Sequence, residues 1–315
     1  MGSVQDEPGH VEALGRLCRF RWEFYDCLTR RADALFEVAD AVLCTDGPVR
    51  SSVDLTLAGA GPEHRRGHGA LYDGLNSGRL DVARFRRTLA GLTLPSAADG
   101  RLMLAVDVSP WLRSEASTSA QRLFCHVHDR AKNQAQLIPG WPYSFVAALE
   151  PGRTSWTAVL DAVRLGPADD ATAVTADQLR AVVGRLTAAG HWHDGDPNIL
   201  IVRDAGYDVT RLAFVLDKPA TWPEPQHTTT TPTSRYGTAT ATSWNRLHPR
   251  LTHRTCWINH PGDLPIIEGT LIRLQVDHLP GNRDPKPVWL WSSALDATAA
   301  DIDRAWQAFL RRFDL

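Results

Sequence analysis

The sequence predicts a mixed α/β fold preceded by a helical region and interrupted by a β-rich insertion. Three observations carry that expectation. Leu102 to Val106 form a continuous apolar run, the pattern of a strand buried on both faces, and a second such run spans Ile199 to Val202. Between them Leu179, Val182, Val183 and Leu186 recur at the spacing of one helix face. Each apolar run then leads into an aspartate, Asp107 and Asp204. Carboxylates at the ends of buried strands lie at the rim of a sheet, where α/β proteins place their chemistry.

Taken in order, residues 1–9 are polar and expected to fray. From His10 to Cys44 apolar residues such as Leu14, Leu17, Phe20, Phe24, Leu28 and Phe36 recur at helical spacing, with Arg16, Arg19, Arg21, Arg30 and Arg31 between them. A Gly-rich loop near Ala58–Gly69 separates this from a helix over Val82–Leu89, which carries Arg84, Arg86 and Arg87 just after Arg79. Residues 1–97 thus read as one helical, basic region, its arginines forming a solvated face or meeting phosphate. After Pro95 strands begin. Arg101–Val108 is the first, stopped by Ser109 and Pro110; Gln121–His128 and Tyr143–Leu149 follow, with Pro139-Gly140-Trp141-Pro142 as a turn before the latter. Thr175 is expected to cap a helix running to about Ala189, ahead of the strand Ile199–Val202 and a helix from Val209 to Leu216.

Strand, strand, strand, helix, strand, helix is the order of an RNase H-like core, a mixed five-stranded sheet with the two acids at the ends of its first and fourth strands. From Lys218 to Pro265 the chain is rich in threonine and turn residues, without sustained periodicity. A structureless loop of that size is improbable in a compact domain. Residues 219–293 therefore read as a β-rich insertion of short, irregular strands, including Pro265–Val276 and Val288–Trp291. An amphipathic helix from about Thr298 closes the chain, so residues 98–315 form the second region.

Bulk properties exclude some classes. The 315 residues carry a formal charge of −2, so no global field draws the chain to nucleic acid, and Lys132, Lys218 and Lys286 are the only lysines among 34 basic residues. Cys18, Cys27, Cys44, Cys125 and Cys256 show no CxxC spacing and read as reduced thiols. No apolar leader and no run of the roughly 18 apolar residues a membrane span needs is present, which predicts a soluble, cytoplasmic protein with no membrane partner.

Two aspartates held close repel one another unless a cation neutralises them, and oxygen ligands favour Mg²⁺ or Mn²⁺. On spacing alone Asp107 and Asp204 are as readily turn formers as metal ligands. His126 and His128 share a strand face, and His191, His193, Asp194 and Asp196 cluster before the second apolar run. Neither group has zinc spacing, and both read as ordinary polar residues. The tryptophans, Trp289 and Trp291 included, read as core.

Longer phrases carry a resemblance. LMLAVDVSPW at 102–111, RLFCHVHDRAKNQAQLIPGWPYSFVAALEPGRTSWTAVLDAVRLGP at 122–167 and DDATAVTADQLRAVV at 169–183 belong to it, as does GDPNILIVRDAGYDVTRLAFVL at 195–216. So do SRYGTA, RLHPRLTHR, LPIIEGTLIRLQVDHLPG and RDPKPVWLWSS in the later third. From about residue 64 onward the chain resembles actinobacterial insertion-sequence transposases of the DDE endonuclease superfamily. The resemblance implies that Asp107 and Asp204, with a glutamate, hold a pair of Mg²⁺ (or Mn²⁺) ions. They would serve hydrolysis at transposon ends and strand transfer into target DNA. It implies double-stranded DNA as partner (terminal repeats and target), a homodimer, a DNA-binding or dimerising role for residues 1–97, and DNA contacts from Arg250, His253, Arg254, Arg273 and Arg312.

Two departures qualify it. The family's glutamate follows an aromatic residue and an arginine on the last helix. Phe309 and Arg312 match these, but the glutamate would fall one residue beyond Leu315. Near Leu216–Pro219 a stretch with one core strand is absent by comparison. The expectation is thus a transposase of truncated form with impaired catalysis. Alternatives are a non-catalytic remnant that binds terminal repeats and represses the full-length enzyme, and an inert product with a poorly folded core. Glu268 is the best internal substitute for the missing acid. Asp208 reads as a helix cap, and Asp314 precedes the required position by two residues.

Overall fold

The computed structural model describes residues 8–45, 53–55, 68–128, 135–151, 157–203, 227–233, 237–247, 259–278 and 285–311, with the single positions 47, 49, 51, 251 and 257. The chain divides into two compact units, Met1–Leu92 and Thr93–Leu315.

The first unit holds α1 (Pro8–Cys27), β1 (Leu28–Arg30), α2 (Ala32–Cys44), α3 (His68–Ser77), β2 (Arg79–Leu80) and α4 (Val82–Ala90). Phe24 is its aromatic hub, with ring centroids 5.5 Å from Phe85 and 6.1 Å from Phe36. The short antiparallel ladder β1–β2, with Leu28 opposite Leu80, was not legible in a sequence that reads as helix throughout. Several arginines of the expected basic face bind acids of the same unit: Arg16 with Glu12, Arg21 with Asp40, Arg31 with Asp73 and Arg84 with Asp26. Arg21 meets both carboxylate oxygens of Asp40, and that hydrogen bonding pushes its pKa up against the opposing effect of burial. The guanidinium also lies 4.9 Å from the Phe36 ring. Such exposed pairs stabilise little individually.

The second unit opens on β3 (Met103–Leu112), β4 (Leu123–His128), β5 (Ala135–Leu149), β6 (Thr157–Arg164), α5 (Ala171–Ala188) and β7 (Leu200–Arg203). β5 is the spine of this five-stranded mixed sheet. Along one edge it pairs antiparallel with β3, Leu104 opposite Ala148 through Leu112 opposite Gly140. Along the other it pairs first with β4 and then with β6, also antiparallel. β7 runs parallel to β3, from Met103 opposite Leu200 to Val106 opposite Arg203. The order β6-β5-β3-β7, with α5 between β6 and β7, is consistent with an RNase H-like domain. Leu104, Ala105, Val106, Val146, Ala147 and Ala148 are all fully buried, as the continuous apolar run demands of a central strand.

Two expectations about this sheet are corrected. Pro139-Gly140-Trp141-Pro142 is not a turn, because β5 runs straight through it, and β3 likewise continues past Ser109 and Pro110 to Leu112. Pro110 stands opposite Pro142, whose carbonyl accepts from the Leu165 N–H on the far edge at 2.9 Å. The nitrogen and carbonyl of one residue face the same edge, so these prolines meet where the ladder has no bond between them to lose. Gly140 admits the close approach: a Cβ there would lie 2.6 Å from the Trp111 carbonyl oxygen. Gly140→Ala is therefore expected to destabilise by about 1–3 kcal/mol, read as a lowered urea midpoint.

β6 was missed because Asp161 interrupts its apolar pattern. The residue is 3% exposed and bound to Arg185 of α5 at 2.7 Å. The helix itself starts at Ala171, earlier than expected. Asp170 caps it, accepting from the N–H groups of Thr172 at 3.1 Å and Ala173 at 3.2 Å, whereas Thr175 is buried one turn in. Its face is as read, with Leu179, Val182 and Leu186 buried. The expected helix Val209–Leu216 lies outside the described residues.

A second sheet has the antiparallel order β11-β10-β9-β8, from β8 (His227–Thr233), β9 (Gly237–Leu247), β10 (Gly269–Val276) and β11 (Val288–Ser292). β8 and β9 pair with each other in unbroken register, while β9 is irregular where it meets the start of β10, with Arg246 at φ 58°. In β9 threonines alternate with Ala239 and Ala241, and in β8 successive residues alternate in burial, a two-residue period hidden when threonine is counted simply as polar. The last helix, α6 (Ala299–Arg311), packs on both sheets. Ile302 and Trp306 join Ala239, Ala241, Ile272 and Leu274, while Ala308 joins Met103, Ala105, Leu149 and Val202.

Thr298 and Asp301 form a reciprocal cap on α6. The Asp301 N–H donates to Oγ1 of Thr298 at 3.2 Å, and the hydroxyl and N–H of Thr298 donate to Asp301 Oδ2 at 2.7 and 3.1 Å. Burial pushes the Asp301 carboxyl up, but these bonds, with Arg101 and Arg304 nearby, outweigh it and hold the pKa below the usual carboxylate range. A depressed folded-state pKa contributes stability above the unfolded value, lost as pH falls through the folded one. Asp301→Asn is thus expected to lower stability by about 1 kcal/mol at neutral pH. Its deficit should shrink below about pH 3.9, measured by denaturant melts across pH.

Candidate active site

Asp107 is the one carboxylate of the expected pair within the described residues. It is half-buried on β3, one residue past the last rung between β3 and β7 among the described residues. It is not at the end of its strand. It lies inside the antiparallel ladder with β5, opposite Phe145. Its Oδ1 accepts the Val108 N–H at 2.8 Å, which fixes the carboxylate's rotation against the backbone.

Side chains alternate along a strand, so Asp107 shares a face with Met103, Ala105, Ser109 and Trp111. Ala308 of α6 covers Met103 and Ala105. The opposite face belongs to α5, where Ser144 donates to Gln178 Oε1 at 2.7 Å and receives its side-chain N–H on the main-chain oxygen at 3.0 Å. Asp161 pairs in register with Val146 on that second face, away from Asp107. Arg203, opposite Val106, is 8% exposed.

Asp204 follows Arg203 in the chain and lies outside the described residues, as do Asp208, Asp314, Arg250, His253, Arg254 and Arg312. Arg273 is described: it projects from the middle of β10 with its guanidinium carbon 6.0 Å from the Trp289 ring. Glu268 directly precedes β10, and its carboxylate is 3.9 Å from Arg246 of β9, an ion pair within the second sheet. Phe309 lies on α6.

His193 and Asp196 close a turn, the His193 N–H donating to Oδ2 at 2.7 Å. The side chains of His126 and His128 lie outside the described set. Among the described residues no three potential ligands of the His, Cys, Asp and Glu types gather to hold a metal ion. Asp107 suits a hard divalent cation by its oxygen chemistry.

Cys18, Cys27, Cys44 and Cys125 are free thiols, Cys125 with its pKa pushed up by burial. Among the described residues no helix is long and apolar enough to cross a membrane.

The tryptophans divide. Trp306 and Trp257 are buried, but Trp289 is 54% and Trp111 52% exposed, against the expectation of core. No motif flags this. Trp111 lies near the far end of β3, past Met103 and Ala105, which Ala308 of α6 covers.

A half-buried acid on the central strand of a mixed sheet with helices on both faces matches the α/β proteins that place their chemistry at a sheet rim. Residues 23–218 match the family of DDE superfamily endonucleases, and the chain belongs to that family. The family is typical of transposases; it acts on DNA and typically uses divalent metal ions. The match begins inside α1, crosses the boundary between the two units and ends before the second sheet. Among curated proteins none matches the chain.

Proposed function

We propose that this protein is a DDE-type transposase, a metal-dependent endonuclease acting on the ends of an insertion sequence and joining them to target DNA. Asp107 and Asp204 are its metal ligands. The observation that carries this reading is the parallel register of β3 and β7. Val106 stands opposite Arg203, and the next residue in each strand's sequence is one of the two aspartates, so extending that register by one rung would pair the acids on one face. Two carboxylates so placed repel each other and favour a bound cation.

The order β6-β5-β3-β7 with α5 supports an RNase H-like core. When bound, a pair of Mg²⁺ or Mn²⁺ ions supplies an activated nucleophile and stabilises the leaving oxygen. The protein's part is to hold the carboxylates rigidly. The Val108 N–H orients Asp107, and Ala308 of α6 keeps the sheet beneath it dry. Arg273, on the outward face of β10, is suited to the DNA backbone. Val11, Leu14 and Leu17, each about half exposed along α1, favour a homodimer through the helical unit.

The test is nicking of supercoiled plasmid carrying the element's ends, with Mg²⁺ or Mn²⁺. The natural chain is compared with Asp107→Ala and Asp204→Ala, and gel shifts are run on the same DNA. Metal-dependent nicking lost in both variants, with the shift retained, is the expected result. Nicking that survives either substitution would overturn the assignment.

A further inference from the structure

Beyond Asp107 the face it occupies lies past Met103 and Ala105, which Ala308 of α6 covers, and is largely aromatic. Ser109 and Trp111 follow on β3, Tyr143 and Trp141 stand opposite them on β5, and Phe124 continues the face on β4 opposite Pro139. Trp111 and Phe124 are 52% and 53% exposed. The Trp111 and Trp141 rings lie 5.7 Å apart, tilted by 44°. Each exposed ring carries an arginine: Arg113 lies 4.8 Å from the Trp111 ring centre, and Arg122 lies 5.2 Å from that of Phe124. From Asp107 to Trp111 is four residues of strand, about 13 Å.

We infer that this stripe is a stacking platform for an unpaired DNA strand leading away from the phosphate held at Asp107. Exposed rings beside guanidiniums offer an unstacked base a π-face and its phosphates a donor. A duplex hides its base faces and takes its backbone contacts from polar groups alone, so aromatic exposure on this scale serves it poorly. The arginines supply the charge complementarity, and continuity with Asp107 supplies the register along the strand. The inference rests on the endonuclease reading for the site at Asp107 but makes a separate claim, that local strand separation accompanies cleavage.

The test is binding of a short labelled oligothymidylate, and of a blunt duplex of equal length, to the full chain in EDTA. Metal-free binding keeps the outcome independent of the carboxylate chemistry, so failure of the platform and failure of the nuclease reading are told apart by this assay and by plasmid nicking. Trp111→Ala and Phe124→Ala are each expected to weaken single-strand binding about tenfold. Duplex affinity should stay within about twofold, and Trp111→Phe should restore most of the loss. Arg113→Gln leaves every ring in place; it should weaken single-strand binding and flatten its salt dependence. Unchanged single-strand affinity across these variants would overturn the platform. So would equal losses for both DNA forms, or a shift of the variants from dimer to monomer in sedimentation, which would make the stripe a contact between copies of the chain.

Discussion

Asp107→Ala is expected to lower metal-dependent nicking by on the order of 10²–10³-fold, the scale of removing one preorganised electrostatic group from an active site. The substitution should leave the fold intact, because Asp107 is only half-buried and lies outside the apolar cluster of Met103, Ala105, Leu149, Val202 and Ala308. Two further variants separate charge from shape. Asp107→Asn keeps the volume and loses the charge, and should be as inactive as alanine. Asp107→Glu keeps the charge but moves it outward by a methylene, and a displacement near 1 Å is itself worth about 10²-fold.

Thermal shift gives an independent readout. The wild type should gain stability as Mg²⁺ or Mn²⁺ is added, following mass action on a site present only in the folded state. Asp107→Ala should gain little. Without metal the alanine variant should melt at the wild-type temperature or slightly above it, since one of two mutually repelling carboxylates is gone. A metal-dependent shift of equal size in both proteins would remove Asp107 from the ligand set.

Trp306→Ala is expected to cost about 3–5 kcal/mol, the largest single effect on stability foreseen here. Trp306 is 3% exposed on α6 and packs with Ile302 against Ala239, Ala241, Ile272 and Leu274. These facing residues sit on hydrogen-bonded strands and cannot collapse into the space an indole vacates. The ring is also polar-anchored: its Nε1 donates to Asp303 Oδ1 at 3.0 Å, while Asp303 accepts the hydroxyls of Thr229 at 2.6 Å and Thr231 at 3.2 Å. Truncation therefore opens a cavity and removes one of three donors from that carboxylate.

Urea unfolding should show a lowered midpoint. Amide exchange should rise first in β8 and β9, which α6 touches. Ile302→Ala removes less volume and leaves the Asp303 bonds in place, so its loss should be smaller, about 2–5 kcal/mol. Ala308 lies two residues beyond Trp306, against the sheet that bears Asp107. Loosening α6 at Trp306 is thus expected to reduce nicking as well, by misplacing the carboxylate's surroundings.

Much of the scaffold was legible in local pattern. Leu102–Val106 is the central strand, the Leu179, Val182 and Leu186 stripe faces the sheet, and α4 and α6 lie close to where periodicity puts them. These features are encoded by neighbours a few residues apart, which is the range over which apolar spacing carries information. The failures share a physical cause. Pro139-Gly140-Trp141-Pro142 has the composition of a turn, yet it is a strand because a second proline faces Pro142 and a backbone oxygen needs the space at Gly140. Thr157–Arg164 has an acid in its middle, yet it is a strand because Arg185 reaches that acid from α5.

By itself, the sequence determined the family and the mixed α/β class and singled out Asp107 as a candidate, since apolar runs, the acids that follow them and long shared phrases all lie along the chain. Only the tertiary structure decided that Asp107 sits in the interior of a longer strand opposite Phe145, that α6 joins two sheets, and that Trp111 and Phe124 face outward. Each of these depends on which strands meet and where their registers stop. That is a balance among distant residues' hydrogen bonds and burial, and no local window of sequence contains it.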